Sequence, residues 1–272
     1  MMIRPMTSLF LAAALSAQIQ SSAFASGPDI LYIGDSHSVG IFGQNFDKML
    51  RTFPDAKVNF FSYVGASPAW YSGHYATKTQ YFEHDDHGQV SETRYESVTV
   101  TDPKTGKQIT KERPVGGPRA VPDYNQLLVT KSPSIAVVEL GANLYFHPSA
   151  SAAVKAEAKS QLEKMAEEIV SKKIPCYWIG PPDTIAKGSR EDQLAFDQFV
   201  EQVVTPIGCT YFHSILVTTY RPFPGCDGIH YWGKAGMLEA CHWAQKVFKD
   251  FKKVSSLSNT DQEDQLCAKY SE

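Results

Sequence analysis

Short apolar runs that end in glycine, separated by stretches of helical periodicity, constrain this chain more than any other feature. Residues 29–33 (DILYI) lead into Gly34, 57–64 (KVNFFSYV) into Gly65, 134–140 (SIAVVEL) into Gly141, and 174–180 (IPCYWIG) into Pro181-Pro182. A shorter run at 209–213 precedes the last helical segment. Strands buried on both faces read as continuous apolar runs, and their alternation with amphipathic helices builds a parallel sheet covered on both sides. Helical spacing is expected from 36 to about 50, over 150–172, over 189–204 with Ser189 as N-cap and Asp192 three residues on, and from 234 to about 251.

Two segments break the rhythm. Residues 67–122 form a polar, aromatic-bearing insertion, in which 95–101 and 108–111 flank the turn sequence DPKTG and predict a β-hairpin. Residues 255–272 form a polar tail, expected to be loose as far as Cys267. The main domain therefore spans 26–254.

The first 25 residues have the order of a secretory signal: Arg4, an apolar stretch from Leu9 to Leu15, and small residues up to Ala25, after which cleavage is expected. That stretch is too short to span a bilayer, which takes about 20 residues. The reading is export to the periplasm or medium, with no transmembrane segment in the mature chain. A formal charge of −3, with no Lys/Arg run, argues against a nucleic-acid partner. Five cysteines in an exported chain predict disulfides. Cys176 and Cys209 open the fourth and fifth strands and would meet if those strands are parallel neighbours. Cys226 is expected to bridge either Cys241 or Cys267, and the sequence leaves the choice open.

Chemistry gathers at strand ends. Ser36, in Gly34-Asp35-Ser36, lies where the first strand gives way to a helix, so its backbone N–H sits where developing negative charge is stabilised. Gly65 allows close backbone approach to a ligand. Asn143, after the third strand, offers an amide donor. Asp227 precedes His230 by three residues and can turn back to accept its Nδ1–H, which fixes the tautomer and frees Nε2 to take a serine proton. The carboxyl ends of parallel strands lie along one edge, where ligands bind. No cofactor or metal is expected: the run His84-Asp85-Asp86-His87 is consecutive, and adjacent residues rarely converge on one ion.

These blocks, GDSHSVG, VGAS, GAN and DGIH in that order, resemble the SGNH/GDSL hydrolase family from about residue 29 to 250. The resemblance implies a three-layer α/β/α sandwich with a central parallel sheet, resembling flavodoxin. It implies Ser36 as nucleophile, His230 as base and Asp227 as its orienting partner, with the Ser36 amide, Gly65 and Asn143 as oxyanion hole. The sequence departs from the family pattern at His37, in place of leucine, and at Leu144, where many relatives have aspartate. Neither position carries a triad role.

Trp70, Tyr71, Tyr231 and Trp232 flank two of the blocks and could stack on a sugar or line an acyl pocket. The leading expectation is a serine esterase for small acyl groups, O-acetyl above all, on a cell-wall or extracellular polysaccharide. An O-acetyltransferase and a lipase or thioesterase are the enzyme alternatives. A carbohydrate-binding protein that keeps only the fold is the non-enzyme one.

Overall fold

The computed structural model describes residues 27–101, 103, 105–257 and 266–270. The expected signal segment, 1–25, and the stretch 258–265 of the tail lie outside the described residues. In chain order the elements are β1 (Asp29–Gly34), α1 (Ser36–Val39), α2 (Ile41–Leu50), β2 (Lys57–Tyr63), β3 (Ala76–Thr77), β4 (Tyr81–His84), β5 (Val90–Glu92), β6 (Arg94–Thr101), β7 (Gln108–Val115) and β8 (Arg119–Ala120). There follow α3 (Tyr124–Thr130), β9 (Ile135–Glu139), α4 (Ala152–Ser171), β10 (Cys176–Ile179), α5 (Arg190–Val204), β11 (Cys209–Phe212), α6 (Ser214–Val217) and α7 (Gly233–Ser255).

A seven-stranded sheet in the order β11-β10-β9-β1-β2-β4-β5 forms the middle layer. From β11 to β2 it is parallel, as the apolar runs predict. The insertion adds β4 and β5 as an antiparallel edge, which makes the sheet mixed rather than purely parallel. Alternation along each inner strand divides the core in two. Leu31, Ile33, Ala136, Val138 and Trp178 face α3, α4 and α5. Ile30, Tyr32, Val137, Tyr177 and Ile179 face α2 and α7, where Phe46, Trp243, Val247 and Phe248 are fully buried. The α5 N-terminus carries the expected capping box, with Ser189 and Asp192 bonded reciprocally. Within the insertion β6 and β7 pair as the expected hairpin, extended to Arg94 and Val115.

The amino ends of β10 and β11 are in register at Cys176 and Cys209, which form a disulfide. The second bridge departs from expectation. Cys241 on α7 joins Cys267, and Cys226 is a free thiol. The tail thus returns to α7, where Tyr270 also accepts a bond from Asn45 Nδ2 at 3.3 Å. Among the described residues no helix is long and apolar enough to cross a membrane.

Candidate active site

After β1 the chain branches to β2 on one side of it and later to β9 on the other. A crevice opens at such a switch point, beyond the carboxyl ends of the strands. Ser36, Gly65 and Asn143 each follow one of these strands. Asp35 caps α1 by accepting the His37 N–H at 2.9 Å, which fixes Ser36 as the first residue of the turn. Gly65 has φ +85°, and a Cβ there would touch Trp70 Cη2 at 3.4 Å. The flanking N–H groups tie down this turn, Val64 to Gln80 O and Ala66 to Tyr63 O. Asn143 Nδ2 donates to Ala66 O at 2.9 Å and lies 3.4 Å from Asp35 Oδ2, so a single amide joins all three strand ends.

The fourth block arrives from the far end of the sequence. Asp227 Oδ1 accepts the N–H groups of Ile229 and His230 at 2.9 and 2.8 Å, while Oδ2 lies 2.5 Å from His230 Nδ1. Partial burial alone would raise the Asp227 pKa. The bonds from the His230 ring and the two N–H groups outweigh it and hold the carboxyl below the ordinary aspartate value. Gly228 makes the turn possible: its φ is +77°, and an added Cβ would lie 3.0 Å from Ile185 Cγ1. Tyr220 and Tyr231 anchor the loop, with hydroxyls donating to His230 O at 3.2 Å and Asp183 O at 2.6 Å.

Ser36 and His230 line one small cavity, together with His37, Phe42, Trp232 and Trp243. His230 Nε2 is buried and has no hydrogen-bond partner. A base whose Nδ1–H is engaged and whose Nε2 is vacant beside a serine can accept that serine's proton. The His37 ring lies 5.5 Å from that of His230. Burial lowers its pKa to about 3, with the charge of His230 adding to the effect, so it stays neutral and adds no second base.

The aromatic candidates divide. Trp232 is exposed, and its ring lies 6.1 Å from that of His230. Trp70 is half-buried over Gly65 and stacks on Tyr75. Tyr231 is buried in the cavity wall. Tyr71 is fully buried, its hydroxyl 2.6 Å from Gly34 O and 2.9 Å from Phe61 O, so it braces the backbone away from the cavity.

Glu139, the last residue of β9, is the feature that sequence reasoning missed. It and Asp35 are both fully buried. Glu139 Oε2 accepts from Ser38 Oγ at 2.6 Å and from Asp35 N at 3.4 Å, and Tyr32 Oη lies 2.6 Å from the same Ser38 oxygen. The two carboxyls are close enough to act on each other's charge. Two buried carboxyls this close disfavour each other's charged form. Burial raises the Asp35 pKa to about 6. Burial and the neighbouring Asp35 charge push Glu139 well above the ordinary range.

Layers, strand order and crevice together define a three-layer α/β/α sandwich around a mostly parallel sheet. No protein-family model and no curated protein matches the sequence. Among solved structures, TesA superposes with a TM-score of 0.50 at 16% identity, over 83% of this chain and 99% of TesA. A lipase/acylhydrolase from Enterococcus faecalis gives 0.45 at 14% identity, over 86% of this chain and 99% of its own. A DUF4886 family protein from Bacteroides uniformis gives 0.45 at 11%, over 89% of this chain and 91% of its own. At these identities the likeness is one of fold.

Proposed function

We propose that this chain is an SGNH/GDSL ester hydrolase that removes short acyl groups, O-acetyl above all, from an extracellular or cell-wall polysaccharide. The observation that carries the reading is His230: Nδ1 held by Asp227, and Nε2 buried, unpartnered and facing the cavity it shares with Ser36. His230 Nε2 takes the Ser36 hydroxyl proton as Oγ attacks the ester carbonyl. Negative charge grows on the carbonyl oxygen. The N–H groups of Ser36 and Gly65 receive it, together with the Asn143 N–H that makes only the long contact to Asp35. Collapse of the intermediate breaks the bond to the alcohol, which leaves with the proton from His230. Water, deprotonated by the same nitrogen, then releases the acid from Ser36.

The cavity supports a short acyl group. Phe42 and Trp243 stack at 3.6 Å and, with Tyr231, close its floor. The two disulfides support an oxidising compartment and therefore export. Hydrolysis of p-nitrophenyl acetate and p-nitrophenyl octanoate by wild type and Ser36→Ala tests the reading. Acetate is expected to be the better substrate, with activity lost in the variant; a variant as active as wild type overturns the assignment.

A further inference from the structure

We propose that the insertion builds a saccharide subsite: the cleft between β4–β6 and the α1–α2 segment binds a neutral pyranose ring that carries the scissile ester. The proposal rests on the ester-hydrolase reading and adds a location and a chemistry for the alcohol half of the substrate.

The cleft, about 190 Å³, has one wall made by the insertion, through Gln80, Glu92, Thr93 and Tyr95, and another that includes Gln44 and Trp232. Gly40, Ile41 and Trp232 line both the cleft and the cavity that holds Ser36 and His230, so the two spaces adjoin. An ester whose acyl group sits beside Ser36 can therefore place its alcohol past Trp232, in the adjoining cleft. Trp232 and Tyr95 are 41% and 42% exposed, a large ring surface left open on either side of the opening.

The lining selects among possible occupants. Among the described residues no lysine or arginine lines the cleft, and the one carboxylate that does, Glu92, repels anions. A long acyl chain is also a poor occupant. It would strip water from the Glu92 carboxylate and give no hydrogen bond back. A pyranose has an apolar C–H face for an aromatic ring and a rim of hydroxyls for the Glu92 carboxylate and for the donors and acceptors that remain on Gln44, whose Nε2 already donates to Val39 O, and on Gln80. The insertion wall is also held in place. β4 pairs with β2, and the half-exposed Arg119 and Tyr63 both bond to Glu83, whose carboxylate is turned inward. A subsite on fixed strands needs little ordering when ligand arrives.

The test compares kcat and KM for p-nitrophenyl acetate, n-butyl acetate, glucose pentaacetate and O-acetylated xylo-oligosaccharides. It uses wild type, Tyr95→Ala and the Gln44→Ala/Gln80→Ala double variant, with circular dichroism and melting as folding controls. Wild type is expected to cleave the sugar acetates better than butyl acetate. In the variants KM for the sugar acetates should rise about tenfold, the loss of one or two hydrogen bonds or a stacking face, with p-nitrophenyl acetate unchanged. Wild type that cleaves p-nitrophenyl acetate without favouring the sugar acetates overturns the subsite and leaves the esterase reading standing. So does wild type that favours p-nitrophenyl octanoate over the sugar acetates, or folded variants that lose no sugar-acetate affinity. A wild type inactive on every ester overturns both.

Discussion

At the amino ends of β10 and β11 the sheet is closed by a covalent bond between two buried, in-register cysteines. At the carboxyl ends of β1, β2 and β9 it is closed only by hydrogen bonds: Tyr71 to Gly34 and Phe61, and Asn143 to Ala66 and Asp35. Among the described residues, His37 Nε2, Glu139 Oε1 and His230 Nε2 are buried at this second end without a hydrogen-bond partner. Each costs free energy in a folded protein. One end is built to be stable and the other to be reactive. The difference teaches that the parallel sheet separates the two demands along its strands.

Substitutions at the reactive end should alter rate and leave stability, and those at the bridged end the reverse. The largest effect is expected from Ser36→Ala, which should lower kcat on p-nitrophenyl acetate by more than about 10⁴-fold with an unchanged melting curve. Asn143→Ala should lower kcat by about 10²–10³-fold with a smaller change in KM. An effect confined to KM would make Asn143 a substrate-binding group only. Replacing Cys176 and Cys209 together by alanine should cost about 3–4 kcal/mol in urea unfolding, from the loop the bridge closes, while leaving kcat at 25 °C intact. Loss of kcat without loss of stability would mean that the two ends are coupled.

The smallest effect concerns the carboxyl pair and is read against pH. Asp35, raised to about 6, and Glu139, raised further, both bind protons more tightly folded than unfolded. Their contribution to stability is complete below the ordinary carboxyl range and is lost as pH climbs through about 6. Glu139→Gln removes one raised group and its charge, and its amide can still donate to Asp35. The melting temperature of Glu139→Gln relative to wild type should therefore rise between about pH 4 and pH 7. A constant difference would show that the pair does not bind protons more tightly in the folded protein.

The inner strands were legible because burial on both faces leaves an uninterrupted apolar run, and the placing of Ser36, Gly65 and Asn143 because each follows one of those runs. The pairing of Cys176 with Cys209 followed from strand adjacency alone. Other features depend on partners remote in sequence. β4 reads as polar, since its Glu83 is buried only by virtue of Arg119 and Tyr63. Glu139 closes an apolar run, and nothing local reveals that its carboxyl meets Asp35. Tyr71 stands beside Trp70 in sequence, yet its hydroxyl is drawn inward by two strand-end carbonyls. The joining of Cys241 to Cys267 required the tail to return to α7, and polar composition does not encode that path.

Ser36 and His230 are separated by 194 residues (230 − 36), and the histidine immediately precedes α7. Helices and the β6–β7 hairpin form from near neighbours, while contacts of such span close late and set the pace of folding. A chain emerging amino end first therefore carries its serine long before it carries a base. It has no triad until α7 packs against α2. Regained esterase activity on refolding should accordingly lag behind the far-ultraviolet helical signal, timing the arrival of that last helix.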